Sequence, residues 1–263
     1  MLLSRVQPEM AETGNMSEFI WNDHTIHYED AGSGPLLMIL PGNTASSAHY
    51  GDAIAYWSES YRVICPDLLG TGQSSRLASW PVNWWEENAK MAGALLDHLA
   101  CPACITIGSS GGGIIALLMA ILHPEKVQAV VADSTVSVWL PGQLADMVRQ
   151  RQNATSPTIQ FWQMGHGDDW QDVIKADGQL LLAFDRQGGN WTRERLNKIH
   201  CPVLLAGSLH DEFLPQIGQE YLKMAASIAD CEIYLTNTGG HALIWSKPHI
   251  FFGIVETFLK QLH

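Results

Sequence analysis

The chain has 263 residues, enough for one large hydrophobic core or for one core with an insertion. Hydrophobic residues make up 46% and charged residues 16%, a balance that excludes a disordered chain and fits a compact enzyme. The formal net charge of −12 repels phosphate backbones and anionic lipid heads, which argues against nucleic-acid and membrane partners.

The opening segment, MLLSRVQPEMAETG, carries no apolar stretch of roughly 7–15 residues and no small-residue cleavage site, so no secretory leader is expected. A cytoplasmic protein with reduced cysteines follows from that reading. The five cysteines include Cys101-Pro-Ala-Cys104, which has redox-motif spacing. It precedes an apolar strand rather than opening a helix, as a thioredoxin-like pair should, so it reads as structural. The glycosylation patterns at Asn15, Asn153 and Asn190 are then chance matches.

EFIWND and HTIHYEDAGSG read as an antiparallel hairpin. After it come short apolar, β-rich runs: LLMIL (36–40), YRVIC (61–65), CITI (104–107), VQAVVA (127–132), PVLLAG (202–207) and CEIYL (231–235). Helical patterns separate them. Strands apolar on both faces predict a doubly wound, mostly parallel α/β sheet covered by helices on both sides. From Trp85 to Leu99 the apolar residues fall on one helical stripe, and Ile114–Leu122 is apolar enough for a buried helix but far too short to span a membrane. The last helix is expected over 248–262, burying Ile250, Phe251, Ile254, Val255 and Phe258.

The alternation breaks between about Trp139 and Ile199, a stretch that reads as helical throughout and closes on TRERLNKIH with Thr192 as N-cap. The expected organisation is a core of 1–138 and 198–263 with a helical cap, 139–197, between the sixth and seventh strands. Such an insertion should sit over the carboxyl ends of the strands, where open α/β sheets bind ligands. Trp139, Phe161 and Trp162 in it, and Trp245 outside it, are candidate substrate-binding residues.

Gly108-Ser109-Ser110-Gly111-Gly112 satisfies G-x-S-x-G directly after a strand and before an apolar helix, the context that pattern needs. Centring it on Ser109 would require glycine at position 107, which is Ile107, so Ser110 is the candidate nucleophile. A serine hydroxyl needs a base within hydrogen-bond reach. Among eleven histidines, His241 follows Gly239-Gly240 after the last strand, on the sheet edge that carries the strand-to-helix elbow of Ser110. Asp211, just past the seventh strand, is the candidate orienting acid and gives the order Ser, Asp, His; Asp133 and Glu212 compete for that role. Main-chain N–H groups of Gly111 and of Asn43, in the loop after LLMIL, are candidate oxyanion donors; Pro41 has no N–H to give.

On IGSSGGG (107–113), Asp67-Leu-Leu-Gly-Thr-Gly-Gln-Ser74, the 211–215 segment and Gly240-His241, the chain resembles the α/β-hydrolase superfamily over nearly its full length. It is most similar to the capped branch of esterases, hydrolases of aromatic-ring-cleavage products and peroxidase-like enzymes. Many relatives carry His-Gly at the oxyanion loop where this chain has Pro41-Gly42, which leaves the substrate class open. Relatives that process halides and epoxides use an aspartate nucleophile, and Ser110 at that position argues against both activities. The resemblance implies two-step acyl transfer on a small-molecule ester, apolar or aryl, with no metal or organic cofactor. C–C bond hydrolysis of a vinylogous diketo acid is the alternative; it would need a cation for the substrate carboxylate, with Arg149, Arg151 and Arg186 as candidates. A non-catalytic ligand-binding relative is a third reading.

Overall fold

A computed structural model describes residues 15–262. The reading of residues 1–14 as lacking a leader lies outside the described residues.

Among the described residues, eight strands form one sheet in the order β1-β2-β4-β3-β5-β6-β7-β8. They are β1 (Asn15–Trp21), β2 (His24–Gly32), β3 (Leu36–Leu40), β4 (Arg62–Pro66), β5 (Cys104–Ser109), β6 (Val127–Asp133), β7 (Val203–Ser208) and β8 (Cys231–Thr236). The first two pair antiparallel, β2 pairs antiparallel with β4, and the remaining pairings are parallel. The expected hairpin turns at Asn22 and Asp23, both at positive φ (48° and 64°), where short polar side chains replace the usual glycine.

The pleat divides the core. Leu36, Met38 and Leu40 of β3 join one apolar cluster, Leu37 and Ile39 the other. The first cluster takes up α2 (Trp84–His98), α3 (Gly111–Leu122) and α7 (Ile217–Ala225), and the second takes up α1 (Gly51–Ser58), α8 (Leu243–Ser246) and α9 (Pro248–Leu259). Every residue of α3 from Gly111 to Ile121 is buried, as its unbroken apolarity requires. No helix among the described residues is long and apolar enough to cross a membrane.

Between β6 and β7 lie α4 (Gln143–Arg151), α5 (Ser156–His166) and α6 (Trp170–Asp185). The helix expected from Thr192 does not form. Asn190 Oδ1 accepts from the N–H groups of Thr192 and Arg193 and from the Thr192 hydroxyl, and Arg193 and Glu194 turn to positive φ, leaving one 3-10 turn at Leu196–Lys198. Helix α9 also differs: Phe252 and Leu259 are buried, while Ile250 is 37% exposed. The face is rotated because Phe252 stacks on Tyr56 and meets Trp57 edge-on, both in α1. Cys101 and Cys104 are free thiols, and burial pushes the Cys104 thiol up, away from the reactive thiolate.

Helix α5 docks on the core through two histidines. His166 accepts from Gly72 N at Nδ1 (3.0 Å) and meets the Thr44 carbonyl at Nε2 (3.1 Å); His49 reaches the Phe161 carbonyl at 2.9 Å. Burial pulls the His166 imidazole down to about 4. Unfolded His166 takes up its proton near 6.5, so between these values the unfolded chain binds more protons. The His166 contribution to stability is therefore fully present above about pH 6.5 and is lost as the pH falls toward 4, by up to about 3 kcal/mol. Thermal unfolding of wild type and His166→Asn from pH 7 to 4.5 checks this: the wild-type melting temperature should fall more steeply than that of the variant.

Candidate active site

Ser110 stands between β5 and α3 at φ 54° and ψ −121°, a region that side chains rarely occupy. Its neighbours make that turn possible. A Cβ on Gly108 would collide with the Gly112 carbonyl, and one on Gly112 with the Leu40 carbonyl. The Ser110 side chain makes no capping bond to α3 and lines a cavity. Its neighbour Ser109 is buried, with its hydroxyl 2.5 Å from that of Tyr50.

His241 lines the same cavity, and its Nδ1 lies 2.8 Å from Asp211 Oδ2. The other oxygen of Asp211 accepts the N–H groups of Phe213 and Leu214 at 3.0 and 3.1 Å, which fixes the carboxylate. With Nδ1 donating to a carboxylate, Nε2 keeps its lone pair free to take a proton. The competing acids are engaged elsewhere. Asp133 accepts the N–H groups of Leu243 and Ile244 and the Ser134 hydroxyl, and Glu212 accepts the main-chain N–H of His241.

Burial alone would lower the His241 pKa. The Asp211 hydrogen bond and charge, helped by Asp133 and Glu212, outweigh it, and the pKa lies above its ordinary 6.5. For a reaction in which His241 is the base, the imidazole must be unprotonated, so kcat/KM is expected to rise with pH and level off, with a midpoint above 6.5. Initial rates from pH 5 to 9 check it.

The loop after β3 packs against the elbow. A Cβ on Gly42 would sit 3.4 Å from Ser110 Cβ, and one on Gly111 would strike Asn43 Oδ1. Gly42 donates its N–H to Tyr50 Oη at 3.2 Å, and Ala45 N–H closes a turn onto the Gly42 carbonyl. Asn43 Oδ1 accepts from Trp85 Nε1 at 2.8 Å, and its Nδ2 donates to Asp177 at 2.7 Å. Among the described residues, neither the Asn43 nor the Gly111 main-chain N–H donates to a loop or turn carbonyl, and Gly111 opens α3, where the first N–H groups have no intrahelical partner.

The cavity measures ≈ 540 Å³, and Trp139, Phe161, Trp162 and Trp245 all line it. Two further aromatics shape the site. Trp85 stacks on Trp139 at 5.7 Å, and Phe213 meets the His241 ring edge-on at 5.1 Å. Trp85 carries a mixed signal in the sequence, since it opens an apolar stripe that also packs the core. Tyr50 and Asp177 carry none, because their partners lie 59 and 134 residues away. Arg151 lines the cavity, and Arg149 and Arg186 do not. Among the described residues no group of three potential metal ligands occurs.

The profile of the alpha/beta hydrolase fold family matches residues 35–169. Haloalkane dehalogenase 2 of Mycobacterium tuberculosis is 31% identical over 137 residues, which are 52% of this chain but only 46% of that protein. A 2-hydroxy-6-oxononadienedioate/2-hydroxy-6-oxononatrienedioate hydrolase of Burkholderia vietnamiensis is 24% identical and covers 90% of this chain and 91% of its own. The crystal structure of a hydrolase from Pseudomonas aeruginosa PA01 superimposes with a TM-score of 0.75 over 94% of this chain and 98% of that one, at 19% identity.

Proposed function

Because the chain belongs to the alpha/beta hydrolase fold family, we propose that it is a serine hydrolase that cleaves small to medium apolar or aryl carboxylic esters through an acyl-enzyme. The observation that carries this reading is the 2.8 Å bond between His241 and Asp211 on the cavity that Ser110 also lines.

In the proposed reaction, Ser110 Oγ attacks the ester carbonyl while His241 Nε2 takes its proton, and Asp211 holds the imidazole and offsets its new charge. The main-chain N–H groups of Asn43 and Gly111 meet the oxyanion. His241 then protonates the departing alcohol, and water repeats the sequence to release the acid. Residues 139–197 act as a lid whose aromatic residues, with Trp245, hold the acyl or aryl group.

The test is a series of p-nitrophenyl esters of increasing acyl length. Saturable hydrolysis that depends on Ser110 supports the reading; equal rates for wild type and Ser110→Ala sink it. Similarity to the Burkholderia enzyme over 90% of the chain favours, as a second reading, C–C cleavage of a vinylogous diketo acid. Faster turnover of such an acid than of any ester in the series would replace the first reading with the second. A site that turns over neither and does not react with a fluorophosphonate would be a ligand-binding relative.

A further inference from the structure

We infer that Asp177 determines the charge preference of the cavity: by neutralising Arg151 it makes this a site for acyl groups that carry no charge, an assignment that rests on the serine-hydrolase reading above. Arg151, the last residue of α4, is the only lysine or arginine among the described residues lining the cavity, and its side chain is 18% exposed. Asp177, in the middle of α6, is fully buried. One of its oxygens pairs with Arg151 Nη1 and the other accepts from Asn43 Nδ2. Among the described residues, the cavity's one fixed cation is thus cancelled by a carboxylate behind it. The other ionisable lining groups are Glu212 and His241, and His241 is itself paired with Asp211.

An acyl chain ending in a carboxylate would leave water for a site with no spare positive charge. Burying an ion without a partner is strongly unfavourable, so such chains are rejected while neutral ones enter. Asp177→Asn removes the charge but keeps an oxygen for Asn43 Nδ2, and it leaves the Arg151 guanidinium without its counter-ion. The freed cation should then receive a substrate carboxylate.

Two fluorophosphonates, with alkyl chains ending in a carboxylate or in its methyl ester, read this preference as a ratio of Ser110 inactivation rates, without requiring ester turnover. Wild type should react with the neutral probe about tenfold faster or more, and Asp177→Asn should shift the ratio toward the anionic probe by about tenfold or more. Arg151→Gln should bring the anionic probe no gain. A purely structural role for Asp177 would slow both probes alike and leave the ratio unchanged, which would overturn the proposal. Equal rates for the two probes in wild type, or a faster anionic probe in Arg151→Gln, would also overturn it. Labelling of Ser110 with an unaltered ratio defeats the charge assignment alone, whereas no labelling in any variant defeats the serine-hydrolase reading along with it.

Discussion

Ser110→Ala is expected to lower kcat for ester hydrolysis by about 10⁴- to 10⁶-fold, leaving the slow turnover that binding and oxyanion donors alone support. The proposed chemistry has no substitute for this hydroxyl. Ser109 is adjacent in sequence, but it is buried and its hydroxyl is held against that of Tyr50. The fold should tolerate the change. Alanine meets the same steric demand at φ 54° as serine, and the Ser110 side chain makes no bond that caps α3. Lost activity should therefore come with a melting temperature close to that of wild type. A variant that loses activity by unfolding, or that keeps more than a few per cent of it, would contradict the assignment of the nucleophile.

The second large effect separates two buried aspartates. Asp211→Asn should reduce kcat by about 10⁴-fold, because an amide facing Nδ1 favours the imidazole tautomer that cannot accept the nucleophile's proton. The backbone bonds that Phe213 and Leu214 make to Oδ1 can persist in the variant, so the loss should be chemical rather than structural. Asp133→Asn should behave in the opposite way. Its two oxygens each accept one N–H group, from Leu243 and Ile244 just beyond His241; an amide keeps one acceptor and sets its NH2 group against the other N–H, which should lower the melting temperature. His241 would keep its partner, so the kcat of the folded fraction should fall far less than in Asp211→Asn. Rates at pH 8 with thermal unfolding of both variants check the pair, and an exchange of their effects would move the acid role to Asp133.

What could be read from the sequence followed from local rules. The frame of the elbow is set by Gly108 and Gly112, whose neighbours leave no room for a Cβ, and that restriction is visible as a glycine pattern. The doubly wound sheet was legible because strands buried on both faces must be apolar throughout, as β3 and β5 are. Contacts between distant segments escaped such rules. One local competition escaped as well: residues 192–198 have helix-forming composition, yet the Asn190 side chain, two residues before Thr192, captures the N–H groups that would begin a helix. The periodicity of α9 fits more than one face, and the rings of Tyr56 and Trp57 choose between them. Asp177 looks like any polar residue of an amphipathic helix until Asn43 and Arg151 are seen beside it.

The proposed mechanism places the oxyanion between the main-chain N–H groups of Asn43 and Gly111 while Ser110 is bonded to the acyl centre. A crystal structure of the protein inactivated by a neutral alkyl fluorophosphonate examines all of those groups at once. The expected result is a phosphorus bonded to Ser110 Oγ, with its unesterified oxygen about 3 Å from both N–H groups and His241 Nε2 within hydrogen-bond reach of the adduct. Phosphorus on another side chain, or an oxygen turned away from both amides with His241 out of reach, would contradict it.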